Sequence, residues 1–285
     1  MSVKAYYRPT NLAKAADLLR NEGGLPIAGG TDVMIKLRRG AIRHPVLVNV
    51  KGISELAGIR EESGRLRIGS GTKLAAVAAD PLVRQRCPAL AEGARAIGTP
   101  QIRNLGTIGG NACNASPCAD TAPGLLVSGA RVEISDGKDK REVDADKFWT
   151  GPGKSVLRPG ELVTAFLLPE PTKGARQGFL KLGPRRASDI AVVNLGMGFV
   201  LDGGVLRDVR IALGSVAPTP LRARGAETLM EGADATQLDY AAVAAAASAD
   251  AVPISDVRGS AWYRSEAVAA LVEQLLTTIL GLRRR

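Results

Sequence analysis

Residues 26–38 read P-I-A-G-G-T-D-V-M-I-K-L-R, and residues 106–111 read G-T-I-G-G-N. Two glycine pairs, each beside a threonine and an apolar strand-like stretch, constrain this chain more than any other feature. In the first, Leu25 to Ala28 reads as a short buried strand, Gly29 and Gly30 as a turn, and Val33 to Arg38 as a helix. Glycine lets a backbone come close to a ligand because no Cβ intervenes. The start of a helix adds unpaired N–H donors and the positive end of a dipole, which suits a phosphate. Two such cradles suit a ligand with two phosphates. Each pair taken alone could equally be an ordinary glycine turn.

A chain of 285 residues, 45% of them hydrophobic, can bury one large core or two smaller ones. The apolar runs 125–130 and 191–200 are too short to span a bilayer, and the first residues lack the apolar core of a signal peptide. Three cysteines, Cys87, Cys113 and Cys118, make no even disulfide framework and point to a reducing compartment, the cytoplasm. The net charge of +10 invites a nucleic-acid reading, but with only 4% aromatic residues there is no stacking platform. The basic clusters Lys36–Arg39, Lys138–Arg141, Arg185–Arg186 and Arg283–Arg285 are dispersed. Solvated surface, or docking to an acidic partner protein, explains them better.

Asn11 to Asn21 has helical spacing and ends at Gly23-Gly24. Val46–Val50, Leu66–Ile68, Leu125–Val127, Arg131–Ile134 and Leu162–Leu168 read as strands. Short alanine-rich helices fill Thr72–Ala96, broken at Pro81 and Pro88. A polar, proline-bearing stretch, residues 169–174, then separates a second part. There Ile190–Leu201 and Val205–Val216 form a hairpin about Asp202-Gly203-Gly204. Helices follow at Ala223–Glu231, Gln237–Ala249 and Trp262–Leu280, the last with an apolar stripe suited to packing on the hairpin. The result is two α+β parts without an internal repeat.

Several motifs lead nowhere. Gly69-Ser70-Gly71-Thr72-Lys73-Leu74 begins like a dinucleotide fingerprint but lacks its final glycine and the βαβ setting. Gly151-Pro152-Gly153-Lys154-Ser155 lacks the first glycine of a phosphate loop and reads as a turn. Cys113 and Cys118 are two ligands where an iron–sulfur cluster needs four. His44, the single histidine, has no partner for metal binding or catalysis and reads as a loop residue. The residues offer no metal site and no catalytic group.

The ordered set A-G-G-T-D, Q-I-R-N-L-G-T-I-G-G-N and A-S-P-C-A-D resembles the flavin-binding medium subunits of the molybdenum hydroxylases. These include carbon monoxide dehydrogenase, bacterial xanthine dehydrogenase and 4-hydroxybenzoyl-CoA reductase. The phrases E-L-V-T-A-F-L-L-P, F-L-K-L-G-P-R-R-A-S-D-I-A-V-V-N and G-S-V-A-P-T-P-L-R-A extend the likeness over essentially the whole chain. The resemblance implies an α+β fold: a two-part FAD-binding domain of the vanillyl-alcohol-oxidase (PCMH) type over 1–175. A small C-terminal domain, an antiparallel sheet with packed helices, would occupy 176–285. FAD would lie between these parts, held non-covalently, with its pyrophosphate on the two glycine loops. Ala28, Gly29, Gly30, Thr31, Asp32 and Val33 would form the first loop, and Thr107, Ile108, Gly109, Gly110 and Asn111 the second. Asp120 would hold a ribityl hydroxyl, while Val163 and Lys181 would approach the isoalloxazine. A cation such as Lys181 near the flavin pyrimidine edge suits reduced, anionic flavin.

The 4-hydroxybenzoyl-CoA reductases carry a cysteine-bearing insertion in this subunit. Here A-S-P-C-A-D-T-A-P-G-L-L runs straight past that point. The chain also lacks ferredoxin-like cysteines and a molybdopterin domain. The resemblance therefore implies one subunit of a complex, with molybdopterin and 2Fe-2S clusters only in its partners, a large molybdenum-cofactor subunit and a small iron–sulfur subunit. A dimer of heterotrimers is the implied assembly. Electrons would pass from the clusters through FAD to an external acceptor. A free-standing flavin oxidase of the same fold, or a non-enzymatic nucleotide-binding module, are the alternatives.

Overall fold

The computed structural model describes residues 3–43, 45–185 and 188–281. His44, Arg186 and Arg283–Arg285, singled out in the sequence, lie outside the described residues. The first sheet is small and parallel, in the order Ala5–Tyr7, Val46–Asn49, Leu25–Ile27. Parallel strands need a crossover. The helix Leu12–Asn21 provides one, capped by the Asn11 side chain, which accepts from the Lys14 N–H, and it buries Ala15, Ala16 and Leu19.

A five-stranded antiparallel sheet follows, in the order Ile59–Glu62, Arg65–Gly69, Leu162–Leu168, Arg131–Ser135, Lys140–Asp144. Its central strand, Leu162–Leu168, is buried at every position, which is why it reads as an unbroken apolar run. Its pairing with Arg131–Ser135 shifts register between Val163 and Ala165, an irregularity of the bulge kind beside Val163. The helices Leu74–Ala79, Pro81–Arg86 and Pro88–Ala96 begin or break where the prolines demand, with proline in the first turn of the last two.

The last sheet is antiparallel, in the order Ala175–Leu182, Val193–Asp202, Val205–Gly214, Leu221–Arg222. Helices Arg224–Met230, Tyr240–Asp250 and Ala261–Leu280 accompany it. Val268, Leu271, Val272, Leu275 and Leu276 bury the stripe of the last helix in the core of this sheet. The buried Arg264 guanidinium donates to the carbonyls of Val192 at 2.9 Å and Ser215 at 2.7 Å, joining helix to sheet edge. The whole is an α+β fold.

Three sequence expectations need correction. Leu125–Val127 belongs to a helix, Thr121–Val127, every residue of which is buried. An apolar run covered on all sides has no polar face to mark its period, so helix and strand look alike in sequence. The stretch before the second glycine pair is the helix Pro100–Leu105, not a strand. The strand expected from Ile190 starts at Val193.

The buried helix Thr121–Val127 ties the molecule together. It packs on Pro88–Ala96 on one side and on the C-terminal sheet on the other. Close backbone approach explains its glycine and those facing it. A Cβ on Gly124 would come within 2.5 Å of Leu90 Cα, and one on Gly93 within 2.2 Å of the Asp120 carbonyl oxygen. Phe179 and Ala212 of the last sheet join the same core. Gly124→Ala should therefore destabilise the protein by about 1–3 kcal/mol, the usual cost of overpacking. Urea unfolding checks this, and a wild-type midpoint would show that the helices separate freely.

Candidate functional site: a glycine-walled cleft

The strand Leu25–Ile27 runs into a turn, and the helix Val33–Arg38 starts beyond Asp32. The two glycines of this turn have different tasks. A Cβ on Gly29 would lie 2.1 Å from the Leu105 carbonyl oxygen, so Gly29 lets the turn press against the end of the helix Pro100–Leu105. Gly30 has φ +73°, a left-handed conformation that other residues adopt only with strain. The turn leaves its donors free. None of the backbone N–H groups of Gly29, Gly30, Thr31, Asp32 and Val33 donates to a backbone or side-chain acceptor among the described residues. A row of such N–H groups is an anion-binding concavity.

The second pair works otherwise. Thr107 caps the helix Ile108–Cys113, its hydroxyl accepting from the Gly110 N–H at 3.0 Å. The N–H of Ile108 donates to Thr72 O, that of Gly109 to Ser70 O at 2.8 Å, and that of Asn111 to Thr107 O. These four N–H groups are thus spent inside the protein, contrary to the expectation that both loops present free donors. Both helices at the glycine pairs have only six residues, so their dipoles are small contributors. Ile108 is fully buried beneath the turn. Gly109 packs where its Cβ would meet Ser70 Cβ at 2.6 Å, and Gly110 is exposed, facing only Thr107 Oγ1. What the second loop offers is the Thr107 hydroxyl, a surface without a side chain at Gly110, and the Asn111 carboxamide. That carboxamide is oriented by Thr121, whose hydroxyl donates to Asn111 Oδ1 at 2.6 Å.

Both loops line one cleft of about 240 Å³. Ala28, Gly30, Thr31, Asp32, Val33, Thr107, Gly110 and Asn111 form its polar end. Leu74, Ile97, Ile102, Leu157, Leu162 and Val163 give it an apolar wall. Lys36 and Asn114 close one side, with Lys36 Nζ donating to Asn114 Oδ1 at 2.6 Å and Asn114 Nδ2 to Asp32 Oδ1 at 3.4 Å. Glu161 also lines the cleft. Arg141 holds both its oxygens, at 2.8 and 2.7 Å, and keeps its carboxyl below the usual range. Cys113 faces the cleft too, but burial pushes its thiol up to about 12, so it offers no thiolate for covalent attachment at neutral pH.

Among the described residues none beyond Val163 lines this cleft, which is built from residues of the parallel sheet, the five-stranded sheet and their loops. Asp120 and Lys181 are brought together, away from it. Lys181 Nζ donates to Asp120 Oδ2 at 2.8 Å, to Ala96 O at 3.2 Å and to Asp189 O at 3.1 Å. Asn194 Nδ2 donates to the other Asp120 oxygen at 2.7 Å. Burial pushes the Asp120 carboxyl up, and its bonds to Lys181 and Asn194 pull partly the other way. Ser70, Gly71, Lys36, Asn114 and Glu161 are cleft residues that the sequence reading did not select. The Gly69-Ser70-Gly71 run, which does not match a dinucleotide fingerprint, nonetheless brings Ser70 and Gly71 to the cleft.

A diphosphate ester carrying a flat aromatic ring fits these residues: free N–H groups at one end, aliphatic side chains at the other. The comparisons agree. Residues 1–171 match the family described as the FAD binding domain in molybdopterin dehydrogenase. Residues 178–279 match the CO dehydrogenase flavoprotein C-terminal domain. A xanthine dehydrogenase FAD-binding subunit of Escherichia coli is 34% identical, over 96% of this chain and 94% of that one. The carbon monoxide dehydrogenase medium chain of Afipia carboxidovorans is also 34% identical, over 94% of each. The solved structure of carbon monoxide dehydrogenase from Hydrogenophaga pseudoflava superposes with a TM-score of 0.93 at 31% identity, covering 98% of each chain. The chain belongs to the FAD-binding flavoprotein family of the molybdopterin dehydrogenases, whose relatives here are medium subunits of xanthine and carbon monoxide dehydrogenases.

Two variants test the geometry. Gly30→Val should weaken FAD binding by about tenfold or more while leaving the protein folded, because a β-branched residue cannot hold the left-handed turn without strain. Flavin titration of the purified variant measures this, and a wild-type dissociation constant would remove the turn from the site. Asp120→Ala should destabilise the flavin-free protein by about 1–3 kcal/mol, since Lys181 and Asn194 lose a buried acceptor. If instead only FAD affinity falls and the apoprotein midpoint is unchanged, Asp120 is a flavin contact and not a fastener.

Proposed function

We propose that this chain is the non-covalent FAD-binding, electron-transfer subunit of a molybdenum hydroxylase, an oxidoreductase component with no catalytic residue for the organic substrate. The observation that carries this reading is the row of N–H groups at Gly29–Val33 without acceptors among the described residues, four of which, at Gly30–Val33, belong to residues that line an apolar cleft. The N–H groups of that turn hold the pyrophosphate, assisted by the Thr107 hydroxyl and the Asn111 carboxamide beside the bare backbone of Gly110. Val163, beside the register shift, and Ile97 with Ile102 exclude water from the ring system. Asp120 and Lys181 brace Ala96, whose neighbour Ile97 is part of that wall. Bound FAD supplies the two-electron chemistry, and the protein supplies position and electrostatics.

Residues 1–175 act as the FAD-binding unit, with 176–285 as the C-terminal domain. The partners are a small subunit carrying 2Fe-2S clusters and a large subunit carrying molybdopterin, assembled as a dimer of heterotrimers. Support comes from the near full-length match to the medium chains of carbon monoxide dehydrogenases. Molybdopterin and the iron–sulfur clusters belong to the partner subunits, a reading supported by the same match to carbon monoxide dehydrogenase medium chains. No described helix is long and apolar enough to cross a membrane. The three free cysteines favour the cytoplasm.

Co-expression with the adjacent large- and small-subunit genes should yield one complex on size exclusion, and acid denaturation should release its flavin unmodified. Flavin that stays with the precipitated chain would contradict non-covalent binding. Elution of this chain alone at low salt, while the other two co-elute, would contradict the subunit assignment.

A further inference from the structure

Behind the helix Pro100–Leu105, on the side away from the flavin cleft, a second pocket of about 210 Å³ is lined by Arg84, Arg95, Arg103 and Asn104, with Ala75, Ala78, Ala79 and Pro100. No carboxylate lines it. None of the three arginines forms an ion pair among the described residues, whereas Arg86, Arg131, Arg141 and Arg264 each do. Glu92, one helical turn before Arg95, feels that charge without forming an ion pair with it. Asp80 accepts from the N–H groups of Leu82 and Val83, and Glu92 accepts from the Phe179 N–H.

Two of the guanidinium groups are fixed in place. Arg84 Nε donates to Ala78 O at 3.0 Å, and Arg103 Nη1 donates to Ile97 O at 2.8 Å and Gly98 O at 3.2 Å. Their remaining N–H groups have no acceptor among the described residues. Three arginines lining one pocket without a carboxylate give it a positive surface, and planar N–H forks match the oxygens of a phosphate. We propose that this pocket is a binding site for a phosphate-type oxyanion, either free phosphate or the phosphate of a nucleotide. It is separate from the flavin cleft and does not depend on the flavin assignment. Because Arg103 holds the carbonyl of the cleft residue Ile97, the anion would sit against the back of the cleft wall.

The test is calorimetric titration of the FAD-saturated protein with inorganic phosphate and, separately, with adenosine monophosphate, at constant ionic strength set by chloride. Saturating FAD removes the turn at Gly29–Val33 as a competing anion site. Saturable binding of one phosphate per chain is expected, weakened about tenfold or more in Arg84→Gln and in Arg95→Gln. Arg207→Gln, an exposed cation on the far hairpin, should bind as wild type. Tighter binding of the nucleotide would assign the site to nucleotides, and equal binding would assign it to the bare anion. No saturable heat, or wild-type affinity in both Arg84→Gln and Arg95→Gln with unchanged melting temperatures, would overturn the proposal.

Discussion

The contact of Gly29 with the carbonyl of Leu105 sets the geometry from which the cleft follows. Only a residue without a Cβ can bring the first turn this close to the end of the helix Pro100–Leu105. That contact places the turn beside Gly106 and Thr107, so one surface carries both glycine loops. Gly30 then reverses the chain in a left-handed conformation, leaving a run of N–H groups without protein acceptors. Unpaired backbone donors are costly unless water or a ligand takes them, so the turn is poised for an anion. The second loop pays no such cost. Its amides are bonded to Ser70, Thr72 and Thr107, and it acts as the rigid face against which the first loop is held.

Much of this was legible in the sequence because local chemistry decides it. Proline positions delimit the helices Pro81–Arg86 and Pro88–Ala96, and Asp202-Gly203-Gly204 turns the C-terminal hairpin. What escaped depends on contacts between distant residues. The helix Thr121–Val127 is covered on every side, so its sequence has no polar face to reveal it. The division of labour between the glycine pairs depends on which carbonyls lie within reach of each amide, and Ser70 and Thr72, which take the amides of Gly109 and Ile108, are far from the second pair in sequence. Lys36 and Glu161 lie inside quoted runs, and Asn114 between two of them, but nothing local marks these three as facing the cleft, which they line through packing.

Lys181 and Asp120 show how a residue selected for one role can be placed for another. The family resemblance, with charge in support, makes Lys181 an expected neighbour of the isoalloxazine. Its ammonium group bridges Ala96, Asp120 and Asp189, joining the edge strand of the last sheet to the end of Pro88–Ala96. Through Ile97 this pair reaches the apolar wall by position and not by contact. The ion pair is buried, and Lys181 Nζ lies 3.3 Å from Asp189 Oδ1 as well as against Asp120, so the ammonium group keeps one carboxylate partner if the other is lost.

The central claim is that the amides of Gly29–Val33 are the donors reserved for the pyrophosphate. Amide hydrogen exchange, compared with and without FAD and resolved over residues 28–34 and 107–112, tests it most directly. The account predicts fast exchange at Gly29–Val33 in the apoprotein and strong protection on FAD binding. Ile108, Gly109, Gly110 and Asn111 should be protected in both states, since their acceptors are internal. Saturating FAD that leaves exchange at Gly29–Val33 unchanged would contradict it.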